Sequence, residues 1–143
     1  MKLLIIHTLL LSAFLLVGGI GFCQDDLVEL DSLAFVALES HSPKAEELAK
    51  QILRKTKEDY RSTHTINAYT ILGIINKDKG YYVSSLNYYI KALNAAEKKK
   101  DEGRISASLN NIGVIYQLQR NFKSAITYFS NSLKIEEKFN NPL

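Results

Sequence analysis

Residues able to do chemistry are few in this chain, and they stand far apart. Cys23 is the single cysteine, and the histidines are His7, His41 and His64. His41 reads as a loop residue and His64 as the start of a helix, and no carboxylate stands at metal-ligand spacing from either. The adjacent carboxylates Glu46-Glu47, Glu58-Asp59 and Glu136-Glu137 read as solvated pairs on helices. Gly18, Gly19 and Gly21 make no phosphate loop, because no strand precedes them. No nucleophile with a base, no metal-ligand set and no phosphate cradle can be assembled. The expectation is therefore a protein that is not an enzyme and needs neither metal nor cofactor.

Composition agrees with an ordinary folded domain. The chain has 143 residues, 23% of them charged and 46% hydrophobic, which argues against general disorder. A net charge of +3, with both signs mixed along the chain, is too weak to point to nucleic acid. One cysteine excludes a disulfide framework and a structural zinc site within one chain.

Residues 1–23 stand apart from the rest. Lys2 precedes an apolar run from Leu3 to Val17, then come Gly18, Gly19, Gly21 and Cys23, and then the polar start Gln24-Asp25-Asp26. This is the plan of a secretory signal peptide, with a cut after Cys23 leaving Gly21 and Cys23 at the small-residue positions. Bulky Phe22 before the cysteine argues against a lipoprotein site. The rival is an uncleaved anchor, since the stretch from Leu3 to Cys23 approaches the roughly 20 apolar residues that span a bilayer. The short core and glycine-rich end favour cleavage, and with it export to a periplasmic or extracellular location. Contact with a membrane follows only if the leader stays.

The elements after the leader repeat. Tyr69, Leu72, Gly73, Ser85, Tyr89 and Leu93 have counterparts 40 residues on at Leu109, Ile112, Gly113, Ala125, Phe129 and Leu133. A fixed period of this length marks an array of helical hairpins. Repeats over about 25–60, 61–102 and 103–141 are expected, each an antiparallel helix pair in an all-α solenoid over 24–143. In the first repeat the helices fall near Asp26–Glu39 and after Ser42-Pro43, an N-cap followed by a first-turn proline. Ala45 and Leu53 match Ser85 and Leu93, and Leu33 falls opposite Gly73 as a sign of a degenerate end repeat. In the second, helices span roughly Thr63–Lys79 and Tyr82–Lys99, with Gly80 between them and Gly103 closing the Lys98–Glu102 run. In the third, Asn121 takes the place of Gly80, and Asn140-Asn141-Pro142 breaks the last helix. Small residues at 45, 73, 85, 113 and 125 permit close backbone approach, and rings at 82, 89, 122 and 129 fill the gaps. Tyr81 and Tyr88 read as partly exposed, and Lys98–Lys100 as a solvated helix end.

Leu109-Ile112-Gly113-Tyr116 with Ala125 and Phe129 resembles a tetratricopeptide repeat, and so does Tyr69-Leu72-Gly73 with Tyr89 and Ala92. The period departs from the standard repeat of about 34 residues. Asn76 stands where tyrosine is usual, and no proline closes the repeats at Glu97 or Glu137. The resemblance implies a right-handed superhelix whose first helices line a concave groove that binds protein or peptide. It puts Asn67, Thr70, Ile74 and Lys77 in that groove in the second repeat, and Ala107, Asn110, Val114 and Gln117 in the third. Asparagines there would hydrogen-bond an extended backbone, and Lys77 would meet a carboxylate. The long period also resembles the repeat regions that precede the signalling modules of bacterial sensor kinases and transcriptional regulators. The last helix is expected to leave an apolar flank, which either continues into a longer protein, the favoured reading, or docks on something, including a second copy end to end.

Overall fold

The structure, a computed structural model, describes residues 26–140, with side chains described as far as 138. The leader and the Asn141-Pro142 break lie outside the described residues. Among those described there are helices and turns only: α1 (26–39), α2 (Lys44–Thr56), α3 (Thr63–Asp78), α4 (Tyr82–Lys99), α5 (Glu102–Leu118) and α6 (Phe122–Asn140). They form three hairpins, α1–α2, α3–α4 and α5–α6, whose first members are here termed the A helices and second members the B helices. No described helix is long and apolar enough to cross a membrane.

The helix ends follow one local rule. Each A-to-B turn passes through a left-handed residue, at His41 (φ 51), Gly80 (φ 76) and Arg120 (φ 60). The backbone then closes in the same way each time, from Ser42 N–H to Ala37 C=O, Tyr81 N–H to Asn76 C=O and Asn121 N–H to Tyr116 C=O, each at 2.8 Å. This is the six-to-one bond of a glycine-type helix stop. Three expectations are corrected by these turns. Arg120, not Asn121, takes the place of Gly80; Asn121 instead accepts the Ser124 N–H through Oδ1 at 3.2 Å, as a capping side chain does. Lys100 (φ 59), not Gly103, ends the second repeat, and Gly103 lies inside α5. Glu58 and Asp59, read as helical, lie in the loop after α2. The helix α2 keeps Glu46 and Glu47 in its first turn and Arg54 and Lys55 in its last, as its dipole favours.

Each hairpin closes on a small residue. Gly73 of α3 lies under the ring of Tyr89 from α4, and a Cβ added there would sit 2.5 Å from Cδ1 of that ring. Gly113 of α5 lies under Phe129 of α6, with an added Cβ 2.6 Å from Cε1. The Ser85 hydroxyl donates to the Gly73 carbonyl at 2.8 Å, so the same glycine is held from two sides. Burial pushes the Tyr89 hydroxyl up to about 12.

The first hairpin corrects the assignment of Leu33 to the glycine position. Ala34, 39 residues before Gly73, is fully buried there, whereas Leu33 is 48% exposed. The cause is a turn shorter by one residue at the start of α2. Ala45 N–H donates to Ser42 C=O, three back, whereas Ser85 and Ala125 donate to Tyr81 and Asn121, four back. The missing residue corresponds to Tyr82 and Phe122. Tyr82 of the second hairpin packs against the cluster of Tyr89, Ile112 and Ile115. At the matching place beside Ile75, a notch of about 320 Å³ remains between Leu38, Ser42, Pro43 and Lys79. Glu46 closes its rim, accepting from Lys50 and from Lys79 just after α3, both at 2.7 Å. These two ammonium groups hold the Glu46 carboxyl down at about 2.

Two outcomes are expected. Gly73→Ala should destabilise the chain by about 1–3 kcal/mol, because buried Tyr89 has nowhere to go. Gly113→Ala should cost less, since half-buried Phe129 can swing outward. Urea unfolding of both variants checks the order. Glu46 is depressed in the folded state, so its contribution is present above its ordinary value of 4.5 and lost as pH falls from there toward 2. Glu46→Gln should flatten that limb of a stability–pH curve by less than about 1 kcal/mol, the range of exposed pairs.

Candidate binding face on the A helices

Sequence alone does not show how the A helices are joined. Asp31 of α1 stands in an apolar stripe with Leu27, Ala34 and Leu38 and is itself buried. Its Oδ2 accepts from Asn67 Nδ2 at 2.7 Å and meets His64 Nδ1 at 2.6 Å, so both α3 residues hold the α1 carboxylate. The other side of the Asn67 amide, Oδ1, accepts from Arg104 of α5 at 2.5 Å. Arg104 is held in turn by Asp101, whose carboxylate lies 3.3 Å from Nε and also caps the Arg104 N–H. A charged and amide chain thus runs from α1 through α3 to α5 and ties three successive repeats across one face. A carboxylate placed on an apolar helical stripe was the signal in the sequence that could have exposed it, because buried charge needs partners.

The residues expected in a groove fall into three groups. Asn67 is buried, and both ends of its amide are engaged inside the protein, so it acts as a brace between helices. Thr70, Ile74 and Lys77 are half-buried. Thr70 donates to the Ile66 carbonyl of its own helix, Ile74 packs beside the Tyr89, Ile112 and Ile115 cluster, and Lys77 pairs with Asp78 at 3.0 Å. Asn110, Gln117 and Ala107 are exposed on α5, with Val114 half-buried between them. This third-repeat stretch, amides flanking an apolar centre, is the most open part of the face. Val28 and Phe35 extend it on α1 with exposed apolar surface.

The aromatic residues divide by position. Tyr89 is core and Tyr81 is exposed. Tyr88 is half-buried and lies near Tyr69 and under Lys91, with the ammonium 6.0 Å from its centroid. Lys98 lies 4.6 Å from the centroid of the Tyr60 ring, so part of the lysine run packs on the preceding loop. Among the described residues, no three His, Cys, Asp or Glu side chains gather as a metal site would require.

A family model described as tetratricopeptide repeat matches residues 64–138, more than half of the chain. No curated protein matches it.

Asn67→Ala removes two buried hydrogen bonds, one from a cation and one to a carboxylate. Loss of about 1–3 kcal/mol is expected in chemical denaturation. Asn110→Ala, on the exposed side of α5, should leave stability unchanged to within about 0.5 kcal/mol.

Proposed function

Because this chain belongs to the tetratricopeptide repeat family, we propose that it is a non-enzymatic scaffold that binds a protein or an extended peptide along its A helices. The observation that carries this reading is the open stretch Asn110, Val114 and Gln117 on α5, set on a face that the Asp31–Asn67–Arg104 chain braces. A braced face loses little conformational freedom on binding, so more of the contact energy appears as affinity. Thr70, Ile74 and Lys77 continue the surface onto α3. The amides suit the backbone of a ligand, the apolar side chains of Ile74 and Val114 suit its side chains, and Lys77 suits a carboxylate. The open flank of α6 supplies a second contact, self-association through the last repeat.

The scaffold acts outside the cytoplasm, as the leader Lys2 to Cys23 supports. A second reading, a sensory repeat region of a membrane-anchored signalling protein, draws on the same leader, whose apolar stretch matches the roughly 20 residues needed to span a bilayer. Mass spectrometry separates the two: Gln24 as the first residue of soluble protein supports the exported scaffold, and intact Met1 in the membrane fraction supports the anchored form.

Binding is tested with a displayed peptide library selected on the immobilised chain, followed by anisotropy titration of the selected peptides. Asn110→Ala with Val114→Asp should weaken them by about tenfold or more, while Ile90→Asp on an exposed side of α4 should not. Equal affinity for all three proteins would remove the site from the A helices.

A further inference from the structure

Stacking of one hairpin on the next follows a fixed pattern within the chain. Tyr82, Leu86 and Leu93 of α4 form a stripe that packs against the cluster of Tyr89 with Ile112 and Ile115 of α5. The same stripe on α6 is Phe122, Ile126 and Leu133, and it is open, at 60%, 65% and 54% exposure. The residues of α1 in register with Ile112 and Ile115 are Leu33 and Val36, once Ala34 is placed opposite Gly73 and Gly113. They too are open, at 48% and 63%. One end of the stack therefore carries the knobs of an internal interface, and the other end carries the surface that receives them.

We propose that the open flank of α6 docks on the open flank of α1 of a second copy of this chain. This rests on the scaffold reading above and names the partner surface for its self-association. The docked pair repeats the packing that already joins α4 to α5, so it needs no new geometry.

Charge selects the same partner. Residues 26–39 present exposed Glu29 and Glu39 and no basic residue, while Asp31 is held inside the chain and Asp26 pairs with Lys55; α6 presents exposed Lys123 and Lys134, with Glu136, Glu137 and Lys138 near its end. The short Lys100-Asp101 connection makes α4 and α5 antiparallel. In the matching arrangement the start of α6, with Lys123, lies toward the end of α1, with Glu39. Lys134 lies toward Glu29. Pairing α6 with a second α6 would lack the receiving surface that Leu33 and Val36 supply on α1. Because the two surfaces differ, the contact is heterologous and propagates into an open chain of copies rather than closing at a dimer.

The test is sedimentation velocity on the full 143-residue chain over a range of concentrations. The mean mass should climb with concentration without stopping at a dimer. Leu33→Asp blocks one end and Ile126→Asp the other, and each alone should weaken association by about tenfold or more. Mixed, the two variants should form a 1:1 dimer and nothing larger, since one intact α6 flank meets one intact α1 flank. Both positions are exposed, so helicity by circular dichroism should be unchanged. If either variant lost helix, Val36→Ser and Phe122→Ser carry the same experiment. A wild-type chain that stays monomeric would overturn the proposal. So would a Leu33→Asp chain that still dimerises alone, or association indifferent to both substitutions, which would place it on α6 alone or on the leader. Neither substitution touches Asn110, Val114 or Gln117, so peptide affinity and self-association fail independently.

Discussion

The structure depends on an aromatic ring packed against a backbone position that has no side chain. Tyr89 over Gly73 and Phe129 over Gly113 set the distance between the two helices of a hairpin. Any Cβ at either glycine would push the ring out and the helices apart. Once that distance is set, the neighbouring small residues Ser85, Ala125 and Ser132 can be buried at the same seam. Ser132 then donates to the Ser106 carbonyl across the α5–α6 contact at 2.9 Å, much as Ser85 donates to Gly73 across α3–α4. Polar groups buried in the seam thus bind one helix to the other.

A second constraint acts between hairpins. Apolar stripes stack one hairpin on the next but slide easily, because dispersion and area burial are not directional. The Asp31–Asn67–Arg104 chain is directional, and it links α1, α3 and α5 at fixed points. Such a link orients the A helices and keeps the proposed binding face in one shape. The missing residue at the start of α2 shows what happens when the pattern is incomplete: the ring supplied by Tyr82 is lost, and a notch beside Ile75 remains where it would have been.

Much of the architecture was legible from the spacing of Gly73 and Gly113 with their rings, because one side chain size at one position controls a helix separation. The first hairpin departs by one residue, with Ala34 and not Leu33 at the glycine position, because the shortened turn lies between the two helices and a constant period hides it. Arg120 was not legible because left-handed residues in these turns are set by the closing backbone bond, which tolerates arginine and histidine as well as glycine. Nor was the brace. In sequence Asn67 resembles an exposed amide on the helix face, and only the positions of Asp31 and Arg104, each more than 30 residues away, show that it is consumed internally.

Proton NMR tests the close approach most directly. A hydrogen held against an aromatic ring is displaced from its ordinary shift by the ring current and shows strong cross-relaxation with the ring protons. The account predicts both effects for the α-protons of Gly73, against Tyr89, and Gly113, against Phe129. Ordinary glycine shifts at both positions, with no cross-peaks to either ring, would contradict it.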